Sequence, residues 1–217
     1  MARNLEYLNG VVARHGDSGY KQGIVSLEKA DDLTEMGVLG VGINARQVVG
    51  AWEKMRLPIK ISASPYGRTL HSAKLWKQVA KDYGLSATIE VVPLLGEVGG
   101  LDFKLIDALT RGGSYSHEGE NVVFNVRETN PLAMDYMTFY RNHFPISKDV
   151  ILPEFVRNRL ALMEKPEDVA KRFRGFMALV GSETGKRVIV THQALTDVFT
   201  NSIGLESGLM PGCYAGF

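Results

Sequence analysis

LEYLNGVVARHG, residues 5–16, decides the fold, because an apolar, strand-like run over 5–13 ends abruptly in a polar glycine turn. Catalytic loops lie at such strand ends, where a rigid sheet holds the side chain that follows. His15 is therefore predicted to stand at the mouth of a sheet, and the neighbouring Arg14 guanidinium offers a partner for an oxyanion. Because the tripeptide Arg14-His15-Gly16 alone occurs by chance, its meaning depends on what the rest of the chain supplies.

The composition indicates one globular domain of 217 residues, in which apolar residues make up 45% and charged residues 23%. These fractions support a packed core and argue against disorder. Lys and Arg total 25 against 24 acidic residues, a formal net charge of +1. Neither a nucleic-acid-binding surface nor a polybasic membrane anchor is expected at that balance, so any attraction for anions must be local.

The single cysteine, Cys213, excludes an internal disulfide and a cysteine-based zinc site. The N-terminal residues lack the charged, apolar and small-residue segments of a signal peptide, and no apolar run reaches membrane-spanning length. We therefore expect a soluble, cytoplasmic protein with no membrane partner.

Strand-like and helix-like segments alternate along the chain, as in proteins whose largely parallel sheet is wrapped by helices on both faces. The predicted fold class is α/β, a three-layer sandwich with a mostly parallel central sheet. Apolar periodicity and Gly or Pro boundaries predict strands over 5–13, 59–62, 88–92, 187–191 and 214–217, the last closing a sheet edge. They predict helices over 33–55, 66–83, 167–180 and 194–203, with Gly84 as the C-cap of the second and Pro166 in the first turn of the third.

Residues 111–165 interrupt this alternation, because they are rich in Gly, Ser, Asn, Pro and aromatic residues. We interpret them as a cap-like insertion in a single domain spanning 1–217, with some helix over 132–142. The choice of substrate is expected to reside in this insertion.

Four polar sites stand out, and three of them directly follow predicted strands. Ligands of open α/β sheets collect beyond the carboxyl ends of the strands, so these distant segments are expected to converge. Two arginines and two histidines in one pocket suit a compact dianion, and phosphate is the usual candidate. The four sites are Arg14-His15-Gly16, Ser64-Pro65-Tyr66-Gly67-Arg68, Glu97 and Thr191-His192.

The same segments resemble the histidine phosphatase superfamily, the phosphoglycerate-mutase-like clan, branch 1. The motifs stand in the order of the family, and only 111–165 is unmatched, which makes the set more specific than any one motif. They are RHG at 14–16; LTEMG at 33–37, similar to L-T-E-x-G; SPYGR at 64–68 leading to Ser72-Ala73, similar to S-P-x-x-R-x-x-x-S/T-A; the acidic loop LGEVGG at 95–100; and VIVTH at 188–192, similar to V-x-V-T/S-H.

The resemblance implies a phosphoglycerate-mutase-like fold and a phosphatase that hydrolyses a phosphomonoester through a phosphohistidine intermediate. His15 would be the nucleophile, with Arg14 and Arg68 binding the phosphoryl oxygens and depressing the imidazole pKa. His192 would donate a hydrogen bond to a phosphoryl oxygen. Glu97 would protonate the leaving group and then act as base toward water, a role that predicts a raised pKa.

Two further residues extend the predicted site. Lys21 stands where many relatives carry an Asn that contacts phosphate, and we predict it as an additional phosphate ligand. Asp17 is the alternative proton donor if Glu97 lies elsewhere. No metal or other cofactor is needed. The expected partner is a small phosphorylated substrate or inorganic phosphate, with no nucleic acid, and the oligomeric state stays open.

Two other functions remain open from the sequence. A phosphoglycerate-type phosphomutase would retain the phosphoryl group and return it to the product, although the proline-rich and basic substrate segments of cofactor-dependent mutases are not found here. A catalytically silent phospholigand-binding protein would be free to lose the nucleophile. His15, Arg14, Arg68 and His192 are all intact, which argues against that alternative.

Overall fold

The computed structural model describes residues 5–18, 32–100, 102–125, 152–181, 183–204 and 209–217. It contains a five-stranded sheet. Short 3-10 turns cover Leu5–Tyr7, Glu53–Met55 and Pro93–Leu95. The described helices and strands are β1 (Gly10–Arg14), α1 (Glu35–Trp52), β2 (Ile59–Ala63), α2 (Gly67–Asp82), β3 (Ala87–Val91), α3 (Phe103–Arg111), β4 (Gly113–His117), β5 (Glu120–Phe124), α4 (Glu154–Ala161), α5 (Pro166–Val180), β6 (Lys186–Thr191), α6 (Gln193–Ser202) and β7 (Tyr214–Gly216).

Two compact units make up the chain. The first comprises residues 1–97 and 172–217 and contains the five-stranded sheet; the second comprises residues 98–171 and contains the β4–β5 hairpin. The interpretation of 111–165 as a cap-like insertion in one domain stays a prediction. In the described parts of both units, no helix combines the length and apolarity needed to cross a bilayer.

The sheet is mixed but mostly parallel, with the strand order β3-β2-β6-β1-β7. β1, β2, β3 and β6 run parallel, and β7 pairs antiparallel with β1 at one edge. The carboxyl ends of these four parallel strands therefore lie at the same end of the sheet. The predicted α/β class and the edge position of the last strand are confirmed.

One face of the sheet carries a hydrophobic core cluster. Strand residues such as Ile61 and Val188 pack there with residues of α1 and α2, including Trp52 and Trp76, all of them at most 1% exposed. Burying two tryptophans stabilises this layer by several kcal/mol, since full burial of one large apolar side chain contributes about 2–3 kcal/mol. Contacts within this apolar layer fix the positions of α1 and α2 on the sheet.

Apolar side chains also cover the opposite face. Val12 and Ile189, which alternate with the residues of the first face, are fully buried. α6 lies against β1, and its Phe199 contacts Phe173 of α5 and Phe217 edge-to-face, with ring centroids 6.5 and 5.9 Å apart. Helices on both faces complete the predicted three layers.

The predicted strand over 5–13 is wrong in its first half. Leu5–Tyr7 is a 3-10 turn, and the strand spans only Gly10–Arg14. Side chains take the carbonyl groups that a strand would pair: Trp52 Nε1 donates to Leu5 O over 2.9 Å, and Lys186 Nζ donates to the carbonyls of Glu6 and Leu8. Apolar alternation alone does not distinguish this arrangement from a longer strand.

The four predicted helices are confirmed with small shifts at their ends. Thr34 is the N-cap of α1, and its hydroxyl accepts from Gly37 N over 3.0 Å. Gly84, just past α2, has a φ of 69°, as its predicted capping role requires. Pro166 is the first residue of α5. The predicted helix over 132–142 lies outside the described residues.

Four elements of the second unit were missed: α3, β4, β5 and α4. Asp102 caps α3 by accepting from Leu105 N over 3.1 Å, a signal that was present in the sequence. The β4–β5 hairpin turns at Glu118 and Gly119, whose φ values are both positive. The Gly and Ser residues of β4 and the short length of α4 hid these two elements from periodicity.

Gly37 allows α1 to approach the loop that follows His15. A Cβ atom at Gly37 would lie 2.2 Å from the carbonyl oxygen of Asp17 and 2.8 Å from its nitrogen. These are backbone atoms, so no rotamer change relieves the clash. A Cβ at Gly40, one turn further along the same helix, would meet nothing within 4 Å.

The two glycines make a matched pair for mutagenesis. Gly37→Ala is expected to lower the free energy of unfolding by about 1–3 kcal/mol, because the loop must shift. Gly40→Ala is expected to raise it by about 0.5–1 kcal/mol through the better helix propensity of alanine. Denaturant unfolding measures both, and equal effects of the two substitutions would contradict the close approach.

Candidate active site

The carboxyl ends of three neighbouring strands bring the predicted segments together. Arg14 pairs with Thr191 across β1 and β6, and Ala63 pairs with Val190 across β2 and β6. The residues that immediately follow these strands are His15, Ser64 and His192. Glu97 reaches the same edge from the loop after β3. The expected convergence of the segments is thus observed within the first unit.

The His15 imidazole is held in one tautomer. Its Nδ1 lies 2.7 Å from the carbonyl oxygen of Gly16, which can only accept, so Nδ1 carries the proton. Nε2 then keeps its lone pair and accepts from Arg68 Nε over 3.2 Å. The backbone is fixed as well, since His15 N donates to Thr191 O and His15 O accepts from Gly212 N.

Burial and neighbouring cations keep this imidazole neutral. Desolvation lowers the pKa of His15 well below 6.5, and the nearby His192, Arg68 and Arg14 lower it further. The hydrogen bond to the Gly16 carbonyl acts in the opposite direction, because it favours the proton on Nδ1. A neutral ring with a free Nε2 lone pair is the state in which an imidazole attacks an electrophile.

Arg68 lies among the other reactive side chains. It stands in the first turn of α2, and its guanidinium lies over the Tyr66 ring, 5.1 Å from the centroid. One terminal nitrogen lies 3.3 Å from Glu97 Oε2 and 3.2 Å from His192 Nδ1, while Nε faces His15. One guanidinium therefore contacts all three titratable groups of the site.

A chain of hydroxyl groups orients His192, whose side chain is completely buried. Thr69 Oγ1 lies 2.9 Å from Ser64 O and 2.7 Å from Tyr66 O, so its proton goes to a carbonyl. Ser64 Oγ donates to Thr69 Oγ1 over 2.7 Å and accepts from His192 Nε2 over 2.8 Å. Nδ1 of His192 is left facing the site.

The Glu97 carboxylate lies within hydrogen-bonding distance of both Arg68 and His192. Burial raises its pKa, but His192, through charge and a hydrogen bond, together with Arg68 and His15, outweighs that effect and lowers the pKa to about 2. The expectation of a raised pKa is therefore wrong in this structure. Glu97 is ionised here because its Oε2 lies 3.2 Å from His192 Nδ1 and 3.3 Å from Arg68.

Arg14 is buried at the end of β1 and is 7% exposed. One terminal nitrogen donates to Leu209 O over 3.0 Å, whereas Nε is buried and finds no hydrogen-bond partner in the described parts of the chain. Desolvation lowers the pKa of Arg14, although Glu97, Asp197 and Asp17 oppose the shift. A buried guanidinium with an unused donor is suited to an incoming anion.

The other two predicted residues differ in outcome. Asp17 contacts the N-cap residue of α1: its carbonyl accepts from Thr34 N over 2.9 Å, and its carboxylate lies 3.5 Å from Thr34 Oγ1. Its role as the alternative proton donor stays a prediction. Lys21 lies outside the described residues, and its predicted phosphate contact stays a prediction.

Sequence reasoning missed the residues that support the site. Ser64 and Thr191 lie within the sequence motifs but carry no predicted role, and no motif contains Arg172. Thr191 Oγ1 donates to Leu95 O over 2.7 Å, while Arg172 donates to carbonyls of the loop that carries Glu97. Only tertiary proximity identifies such contacts. Within the described ranges, no group of three or more His, Cys, Asp or Glu side chains is arranged to hold a metal ion.

The depressed pKa of His15 predicts a pH dependence of stability. In the unfolded chain the imidazole takes up a proton below about pH 6.5, whereas the folded site disfavours that proton, so this contribution to stability is lost as the pH falls. Denaturant unfolding between pH 7.5 and 5 is expected to show a loss of up to about 1.4 kcal/mol per pH unit that His15→Gln removes. An unchanged slope in the variant would contradict a neutral buried imidazole.

Solved structures with the same fold come from bacterial phosphatases and a mutase. A protein from Escherichia coli str. K-12 substr. MG1655, provisionally assigned as an alpha-ribazole-5'-P phosphatase, is 15% identical with a TM-score of 0.56, covering 95% of this chain and 88% of that chain. Phosphoglycerate mutase from Bacillus anthracis str. Sterne is 17% identical with a TM-score of 0.54, covering 99% and 94%. Native mycobacterial glucosyl-3-phosphoglycerate phosphatase is 18% identical with a TM-score of 0.51, covering 94% and 86%.

Sequence comparison adds no relative, since neither a protein-family model nor a curated protein matches the chain. The structural likeness extends over nearly the whole chain and agrees with the motif order, so the resemblance implied by the sequence is confirmed at the level of fold. The chain therefore has the phosphoglycerate-mutase-like fold.

Proposed function

We propose that the chain is a phosphoric monoester hydrolase that forms a phosphohistidine on His15. The observation that carries the proposal is the orientation of this imidazole: Nδ1 is tied to Gly16 O, and the free Nε2 faces the Arg68 guanidinium over 3.2 Å. A nucleophile with a lone pair directed at an anion-binding cation is what phosphoryl transfer to nitrogen requires.

Three donors are available for the phosphoryl oxygens. Arg14 has an unused Nε, Arg68 spans the site, and His192 presents Nδ1. α2 and α6 also begin at this edge of the sheet, and helix N-termini attract anions through their free N–H groups and dipole. Stabilising the charge on the transferring group is most of the catalysis in phosphoryl transfer.

The first step is a displacement at phosphorus. His15 Nε2 forms the N–P bond while the ester P–O bond breaks and the electron pair leaves with the alkoxide. The ring becomes cationic, and the Nδ1–H bond to the Gly16 carbonyl stabilises that charge. In the second step water attacks phosphorus, the P–N bond breaks, and inorganic phosphate leaves neutral His15 behind.

Glu97 is the proposed proton carrier for both steps. His192 and Arg68 lie beside its carboxylate and lower the pKa to about 2. A phosphoryl dianion would compete for these two partners and add a like charge, and both effects raise the carboxyl pKa. Glu97 then gives its proton to the leaving oxygen and takes one from the attacking water.

The substrate class is a small phosphomonoester, and we propose the cytoplasm as the site of action because the lone Cys213 suits a reducing compartment. A phosphomutase would share the phosphohistidine step. Conversion between phosphoglycerate isomers without net release of phosphate would establish that alternative. Binding of inorganic phosphate without turnover on a broad panel of phosphoesters would favour the silent binding protein.

Hydrolysis of p-nitrophenyl phosphate tests the proposal. We expect turnover by the wild type and a loss of about 10³-fold or more in His15→Ala, because the nucleophile is removed. Arg68→Gln is expected to lose about 10²–10³-fold in kcat, since one charge-stabilising donor is lost. Circular dichroism and thermal unfolding verify that each variant is folded.

Arg46→Gln is the matched control for Arg68→Gln. Arg46 is an exposed arginine of α1, and its replacement removes the same charge. Turnover within two-fold of the wild type is expected. A His15→Ala variant that retains wild-type turnover would exclude the phosphohistidine mechanism.

A further inference from the structure

One arginine holds the backbone of the loop that carries Glu97. Arg172, in the part of α5 that belongs to the first unit, donates from one terminal nitrogen to Gly96 O over 3.0 Å and to Glu97 O over 3.1 Å. Its other terminal nitrogen donates to the carbonyl of Leu94. A planar guanidinium thereby fixes three carbonyl groups within four consecutive residues.

The loop needs such donors because it lies outside the sheet. The N–H groups of Leu95 and Gly96 are used locally, by the carbonyls of Val92 and Pro93. The carbonyls of the same loop accept from side chains, three of them from Arg172. Thr191 supplies the remaining contact, through its hydroxyl to Leu95 O over 2.7 Å.

The position of the Glu97 carboxylate depends on this support. Glu97 Oε2 lies within 3.3 Å of both His192 Nδ1 and Arg68, distances that tolerate little movement of the main chain. Arg172 bonds the carbonyl of Glu97 itself, so a shift of the guanidinium moves the residue directly. Hydrogen bonds from a charged donor are stronger than those between neutral groups.

We infer that Arg172 is a positioning residue that acts through Glu97, holding its carboxyl group where it exchanges a proton with the leaving oxygen. The inference rests on the proposed phosphatase function and adds a residue that the sequence motifs do not contain. Arg172 acts on the main chain of the loop, so its removal should affect proton transfer and leave the phosphoryl-binding side chains Arg14 and Arg68 in place.

Leaving groups of different basicity separate this role from general destabilisation. Phenol is a poor leaving group with a pKa of about 10 and needs protonation, whereas 2,4-dinitrophenol leaves readily as the anion. Single-turnover release of phenol or dinitrophenol, with the protein in excess over the ester, measures the first step alone. In Arg172→Gln the single-turnover rate with phenyl phosphate is expected to fall about 10–100-fold, the size of a general-acid contribution, and that with 2,4-dinitrophenyl phosphate less than about 3-fold.

Three further variants sharpen the comparison. Arg172→Lys keeps the charge but loses the two terminal nitrogens of the guanidinium, so a loss of rate with phenyl phosphate between those of the wild type and Arg172→Gln is expected. Lys171→Gln removes a positive charge from the adjacent, exposed position of α5 and should leave both rates within about 2-fold. In a Glu97→Gln background, Arg172→Gln should cost no further than about 2-fold, because the group it positions is already gone.

The outcomes distinguish this inference from the function on which it rests. No release of phenol or dinitrophenol by the wild type from either ester contradicts the phosphatase proposal, and the inference falls with it. Wild-type release from both esters, combined with an Arg172→Gln variant that slows both equally or neither, overturns the positioning role alone. If the rate losses of Glu97→Gln and Arg172→Gln multiply in the double variant, the positioning role is also overturned, because Arg172 would then act independently of Glu97.

Discussion

The guanidinium of Arg68 is the interaction on which the site depends. It contacts the nucleophilic nitrogen of His15, the Glu97 carboxylate and the Nδ1 atom of His192, all at 3.2–3.3 Å. In a buried setting, a fixed positive charge has opposite consequences for its neighbours: it disfavours protonation of an imidazole and favours ionisation of a carboxyl group. Burial, His192 and Arg68 together keep His15 neutral, and His192, Arg68 and His15 together keep Glu97 ionised.

Parallel strands make this arrangement possible. His15, Ser64 and His192 each follow a strand of the same sheet, and the register Arg14–Thr191 and Ala63–Val190 places those strand ends at one level. Close backbone packing at Gly37 fixes the position of the loop after His15. The chain of hydroxyl groups that is hydrogen-bonded to His192 fixes the orientation of its ring. The side chains of the site are thus held by regular structure and by buried hydrogen bonds.

The sequence predicted the layers and the convergence of the site, because strand ends and motifs are local signals. It did not predict the charge state of Glu97, since the pKa depends on which cations lie beside the carboxyl group in space. The strand predicted over residues 5–9 is wrong because apolar alternation does not reveal that Trp52 and Lys186 donate hydrogen bonds to carbonyl groups of this segment. Arg172 lies 75 residues from Glu97 along the chain, so only the folded structure identifies its contact.

The central claim is that one imidazole nitrogen accepts the phosphoryl group. Rapid quenching of the protein with p-nitrophenyl phosphate, followed by phosphopeptide mapping under alkaline conditions, tests it most directly. The account predicts one phosphoryl group per chain, on Nε2 of His15, which forms before free phosphate and disappears as phosphate is released. Turnover without a phosphohistidine, or with the phosphoryl group on His192, would contradict the account.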